Sequence, residues 1–85
     1  MDWLYHEATY DDSLRVKAHN RYHSTALEAA IVAREAGVRQ LIIGHFSKRY
    51  LDETPLLQEA RTVFPSTRLA NEGLVIDLNE LEIRN

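Results

Sequence analysis

The sequence predicts an α/β fold. Three observations carry that reading: a capped, alanine-rich helix over residues 25–36, a short β-branched run inside 38–44, and helices that alternate with strands along the chain. Trp3-Leu4-Tyr5 is an apolar run of strand type. Residues 11–22 are polar, with Leu14, Val16 and Ala18 inside them, and read as a loop with a short irregular helix. Thr25-Ala26-Leu27-Glu28 is a capping box, with a hydroxyl at the N-cap and a carboxylate three residues on. Leu27, Ala29, Ala30, Ile31 and Ala33 suit a helix, and Gly37 stands where a left-handed C-cap belongs. Leu41-Ile42-Ile43 closes on Gly44 and reads as a central, buried strand, expected to be parallel. After a loop at 45–53, Thr54 caps a further helix, Pro55 takes its first position, and Pro65 stops it. Arg68-Leu69-Ala70 and Leu74-Val75-Ile76 read as two last strands joined by a turn at Asn71-Glu72-Gly73. The expected architecture is a small mixed sheet with crossover helices on one face.

The bulk composition narrows the function classes. Eighty-five residues make one small domain, 1–85, at most. A chain of that size buries roughly 60–65% of the surface its unfolded form exposes. Apolar residues are 45% and charged residues 27%, which is a globular balance. There is no cysteine, so a disulfide framework and a thiolate zinc site are both excluded. A reducing, cytoplasmic setting is expected on that ground. No apolar run approaches the ~18 residues of a membrane helix, so no membrane partner is expected. The net charge is −3, and a self-sufficient RNA binder would carry a basic surplus.

Three clusters could carry chemistry: His6-Glu7-Ala8-Thr9 after the first strand, His23-Ser24-Thr25 before the capped helix, and His45-Phe46-Ser47-Lys48-Arg49-Tyr50 after the central strand. Ligands of open α/β sheets bind outside the carboxyl ends of strands, so these clusters can converge on one edge. Each also has a bland reading. A lone histidine is more often a surface residue than a ligand, Ser24 and Thr25 are adequate as a helix cap, and Lys48-Arg49-Tyr50 fits a solvated loop. His19 fits no motif and reads as surface.

In order and spacing, the clusters resemble the signature of the ribonuclease Z family. These are metal-dependent endonucleases that trim the 3′ end of precursor tRNA. The motifs are His-Glu-Ala-Thr, His-Ser-Thr and His-Phe-Ser-x-Arg-Tyr, followed by Leu57-Gln58-Glu59-Ala60 and Val63-Phe64-Pro65. The broader metallo-β-lactamase superfamily shares the fold but not the first two motifs. The resemblance implies the C-terminal half of an αββα sandwich. It implies His45 as a metal ligand, suited to zinc, and His23 as the general acid for the leaving 3′ oxygen. It implies Ser47 and Arg49 as contacts to the cleaved phosphate, with Ser24 and Thr25 beside it at a helix start whose free amides favour an anion. His6 and Glu7 are expected to orient His23 or another ligand; a hydrogen-bonded strand end stands as the alternative.

The family's main metal motif, His-x-His-x-Asp-His, does not occur in this sequence, nor does its glycine-aspartate motif. A catalytic zinc needs about three protein ligands. Two zinc ions per complete site are therefore expected to need the missing N-terminal half, and the isolated chain is expected to be inactive. An uncovered sheet face further predicts self-association, for instance as a homodimer. The rival readings are an inert or interaction fragment of the same fold, and a metallo-β-lactamase-type phosphodiesterase with another substrate.

Overall fold

The computed structural model describes residues 2–70 and the backbone of 81–84. Eight elements follow in chain order: β1 (Trp3–Glu7), a 3₁₀ turn (Asp12–Leu14), α1 (Arg15–Asn20), α2 (Ala26–Ala36), β2 (Gln40–Gly44), α3 (Thr54–Arg61), β3 (Thr67–Leu69) and β4 (Leu81–Arg84). The described strands form one sheet in the order β3-β2-β1-β4. β1 pairs with β2 in the register Leu4↔Leu41 and His6↔Ile43, and β2 pairs with β3 through Ile42↔Arg68. β4 lies on the other side of β1, with Tyr5 opposite Ile83.

Every described pairing is parallel, and the antiparallel partner that a mixed sheet calls for was expected among residues outside the described ones. The reason for the parallel pairing is connectivity. A parallel neighbour needs a crossover, and α2 and α3 supply one each between β1, β2 and β3. The predicted turn at 71–73 and strand at 74–76 lie outside the described residues.

Residues in register across parallel strands share a face, and the faces alternate along each strand. Leu4, Leu41 and Ile43 face the helices and join one buried cluster with Ala26, Ala29, Ala30, Ala33, Leu56 and Ala60. The alanines let α2 lie close to the sheet, because a methyl group adds little to the interaxial distance. Both helices pack on this face, as expected. Trp3, Tyr5 and Ile42 occupy the other face; Trp3 and Tyr5 are half-buried and Ile42 is fully buried. On that side a Cβ at Gly44 would sit 2.5 Å from the Tyr5 hydroxyl, so the ring lies across the glycine.

The local signals were sound at α2. Thr25 Oγ1 accepts from the Glu28 amide, Glu28 reaches back to the Thr25 amide, and Gly37 takes φ 69°. At α3 the cap differs from expectation. Thr54 lies inside the helix and Glu53 is the N-cap; the Asp52 carboxylate accepts from both the amide and the hydroxyl of Thr54. An acidic side chain two residues upstream outcompetes the hydroxyl, because it takes two hydrogen bonds where threonine would take one. Among the described residues no helix is long and apolar enough to cross a membrane.

Ala30 is fully buried beneath α2. Ala30→Leu forces α2 away from β1 and β2 and is expected to cost about 1–3 kcal/mol. The midpoint of urea unfolding checks this, and an unshifted midpoint would contradict close helix–sheet packing.

Candidate active site

Parallel pairing puts the ends of β1 and β2 side by side, with Glu7 opposite Gly44. β1 runs two residues further than its apolar run, so His6 and Glu7 belong to the strand rather than to the loop after it. The chain past Gly44 is drawn back onto β1: the Ala8 amide donates to the Gly44 carbonyl at 2.8 Å, and the Ser47 amide donates to the Thr9 carbonyl at 2.9 Å. His45 sits between these ties with φ 58°, a left-handed conformation uncommon for any residue but glycine. That turn carries its ring over the sheet edge.

His23 arrives from the other direction. Its amide donates to the Ala18 carbonyl at 2.8 Å, and the Tyr22 amide donates to the His19 carbonyl at 3.1 Å. This pair of bonds is a Schellman motif closing α1, with Tyr22 at the left-handed position, φ 60°. The two imidazole centroids come to 5.3 Å. Glu7, Tyr22, His23 and His45 line a cleft of roughly 220 Å³.

Thr9 organises this cleft. Its hydroxyl donates to Glu7 Oε2 at 2.6 Å and lies 3.2 Å from His23 Nδ1 and 3.0 Å from His45 Nδ1. A hydroxyl has one hydrogen and two lone pairs. With the hydrogen committed to the carboxylate, both Nδ1 atoms must donate. The neutral rings therefore keep bare lone pairs at Nε2, the atoms free to take a proton or a metal.

Glu7 is 3% exposed, and burying its charge requires partners. It accepts from the Ser24 amide through a short bond, from the Thr9 amide at 3.1 Å and from the Thr9 hydroxyl. His23 Nδ1 lies 3.6 Å away. One potential ligand atom each from Glu7, His23 and His45 falls within 4.8 Å of the others.

The rim carries charge. Tyr10, which is buried, meets His23 edge-on at 6.3 Å, and its ring has the Arg49 guanidinium at 5.5 Å and the Lys17 ammonium at 5.9 Å from its centroid. Ser47 Oγ accepts from the Arg49 amide at 3.4 Å. The loop is pinned beyond this point by Tyr50, whose hydroxyl donates to Asp11 and accepts from the Asp11 amide at 2.8 Å. Burial raises the Tyr50 pKa and the bond to Asp11 raises it further. Partial burial pushes Asp11 up, but hydrogen bonds from Ser13 and Tyr50 prevail and hold it below the usual carboxylate range.

The premise of free amides at the start of α2 does not hold. The Ser24 amide serves Glu7, the Thr25 amide serves Glu28, the Ala26 amide serves the Tyr10 carbonyl, and the Leu27 amide serves Glu59. Thr25 is fully buried, and its hydroxyl donates to Asp12 at 2.9 Å. The positive end of this helix is already occupied by three of the chain's own carboxylates, drawn there by the helix dipole. Burial pushes Glu59 above the usual carboxylate range, and its two amide partners only partly offset that. His6 is not brought into the cleft. It is buried, and its Nδ1 lies 2.7 Å from the Glu7 carbonyl oxygen. His19 is exposed and paired with Glu28 at 2.6 Å.

The sequence brought His23, His45, Glu7, Ser47 and Arg49 into view. It gave no role to Thr9, although that residue lies inside a quoted motif, and it passed over Tyr10, Lys17 and Tyr22. No short-range pattern marks a hydroxyl that will meet side chains from residues 23 and 45.

No protein-family model matches the chain. Ribonuclease Z of Bacteroides fragilis is 58% identical over 78 residues, covering 92% of this chain and 26% of the relative. Ribonuclease Z of Porphyromonas gingivalis (strain W83) is 53% identical and that of Phocaeicola vulgatus 49%, with similar coverage. The crystal structure of human tRNase Z, short form, superposes with a TM-score of 0.66 at 34% identity, covering 89% of this chain and 24% of that one.

Thr9→Val keeps the shape and removes the hydroxyl. It leaves a buried carboxylate short of a partner and is expected to lower stability by about 1–3 kcal/mol, with Thr9→Ser much closer to the parent. Equal unfolding midpoints for Thr9→Val and the parent would contradict the hydroxyl's central place. By its sequence over nearly its full length and by its metallo-β-lactamase-type fold, the chain is homologous to a segment of ribonuclease Z and spans about a quarter of the length of those relatives.

Proposed function

We propose that the chain is part of a metal-dependent endoribonuclease that removes the 3′ trailer from precursor tRNA. The observation that carries this is the shared cleft, where His23 and His45 lie ring to ring over one hydroxyl with Arg49 at the rim. The relatives named Ribonuclease Z and the similarity to human tRNase Z support the substrate.

In this reading His23 is the general acid. Protonated at Nε2, it donates to the departing 3′ oxygen. Thr9 and the Glu7 carboxylate, 3.6 Å from Nδ1, orient the ring. Glu7 is thus a positioning residue, and His6 holds the strand end. Arg49 binds the cleaved phosphate through its guanidinium, and Ser47 sets the loop that carries it. Ser24 contributes through the amide that holds Glu7; Thr25, buried and fully bonded, contributes the cap of α2.

Zinc is the proposed metal, and Nε2 of the exposed His45 is the atom that would bind it. The donor set fits only in part. Glu7, His23 and His45 each offer a ligand atom, but Glu7 already accepts from two amides and a hydroxyl, so it is less free to turn to an ion than the two imidazoles. The remaining ligands belong to stretches of the longer protein that this chain does not span, and the chain alone is inactive. In the complete centre, zinc supplies Lewis acidity and lowers the pKa of water. The sheet face bearing Trp3 and Tyr5 meets that missing half, or a second copy as a homodimer when the half is absent. The setting is the cytoplasm.

In the intact protein, His23→Ala is expected to slow precursor tRNA cleavage by about 100- to 10,000-fold. His45→Ala is expected to lose bound zinc. Undiminished cleavage by His23→Ala would sink the assignment. Turnover of a small phosphodiester with none of precursor tRNA would transfer it to another phosphodiesterase of the superfamily.

A further inference from the structure

Tyr22 runs against two regularities at once. It is 96% exposed, although tyrosine usually buries much of its ring, and it holds φ 60°. It fills the left-handed place of the Schellman motif that closes α1, where glycine fits without steric cost. Among the described residues its side chain makes no hydrogen bond, ring contact or ion pair. Fold stability therefore gives no account of the ring. Yet Tyr22 is one of the residues that line the cleft, with Glu7, His23 and His45.

We propose that Tyr22 is a stacking platform for an unpaired base of the RNA, next to the phosphate handled by His23. Single-stranded RNA is recognised largely by splaying its bases onto aromatic side chains, and such stacking tolerates any base. A flat ring one residue from the proposed acid is placed to do this. The motif that turns His23 into the cleft also sets Tyr22, so base and scissile phosphate are held by consecutive positions of one rigid turn. The inference rests on the nuclease reading above and adds to it a contact to a base where the other residues address phosphate.

The test uses the intact protein. Tyr22→Gly relieves the backbone, so its thermal midpoint is expected to equal or exceed the parent's. Its KM for precursor tRNA is expected to rise about ten-fold, well beyond any fall in kcat. Tyr22→Phe keeps the ring and is expected to stay near the parent. A substrate abasic at the nucleotides flanking the scissile bond should weaken the parent to a similar degree and Tyr22→Gly no further. An unchanged KM in Tyr22→Gly overturns the proposal, as do additive losses with the abasic substrate. A midpoint several degrees lower in Tyr22→Gly also overturns it, because the ring then packs against the rest of the protein. If the parent does not cleave precursor tRNA at all, the nuclease reading falls and this inference falls with it; parent cleavage with an indifferent Tyr22 removes this inference alone.

Discussion

The site depends on giving one buried carboxylate its hydrogen-bond partners inside the fold. Glu7 ends a central strand and is almost wholly buried. A carboxylate buried there without partners would be far too costly. Its position is tolerable because the chain delivers donors from two directions: the Thr9 amide and hydroxyl just after it, and the Ser24 amide at the entry to α2. The same bonds fix where α2 begins relative to β1. Satisfying the charge and assembling the cleft are thus one event, and the hydroxyl that helps neutralise Glu7 is the one that holds both imidazoles.

Backbone strain aims those imidazoles. Among the described residues, Tyr22 and His45 are the non-glycine residues with positive φ, and each costs about 1–2 kcal/mol. Both strained positions border the same cleft. Regular structure supplies the counterweight: the Schellman bonds of α1 hold Tyr22, and the ties from Ala8 and Ser47 hold His45. The alanine packing of α2 keeps these turns from relaxing, because the helix cannot slide without opening the core.

What the sequence revealed was what short-range chemistry decides. The capping box at Thr25 and Glu28, the glycine end at Gly37 and the buried strand at 41–43 depend on neighbours within a few residues, and the structure follows them. Where the reading failed, a distant group intervened. Glu7 and Glu59 reach the start of α2 from elsewhere in the chain and fill the amides that were taken as free. Thr54 loses the cap to Asp52. β4 pairs in parallel with β1 across almost the whole length of the sequence. Residues of the three motifs come together in one cleft because the motifs sit at strand and helix ends, which a parallel sheet gathers on one edge. They could not reveal that Thr9 is the junction, since that is a property of three separate segments in space.

The donor arrangement gives the site its direction. Nδ1 of each ring is turned inward to Thr9, which leaves Nε2 of both as the nitrogen without that partner. Proton–nitrogen correlation spectra of the histidine side chains, taken without metal at a pH where the rings are neutral, test this most directly. The account predicts that His23 and His45 both carry their proton on Nδ1. A proton on Nε2 of either ring would mean that Thr9 does not organise the pair, and would contradict it.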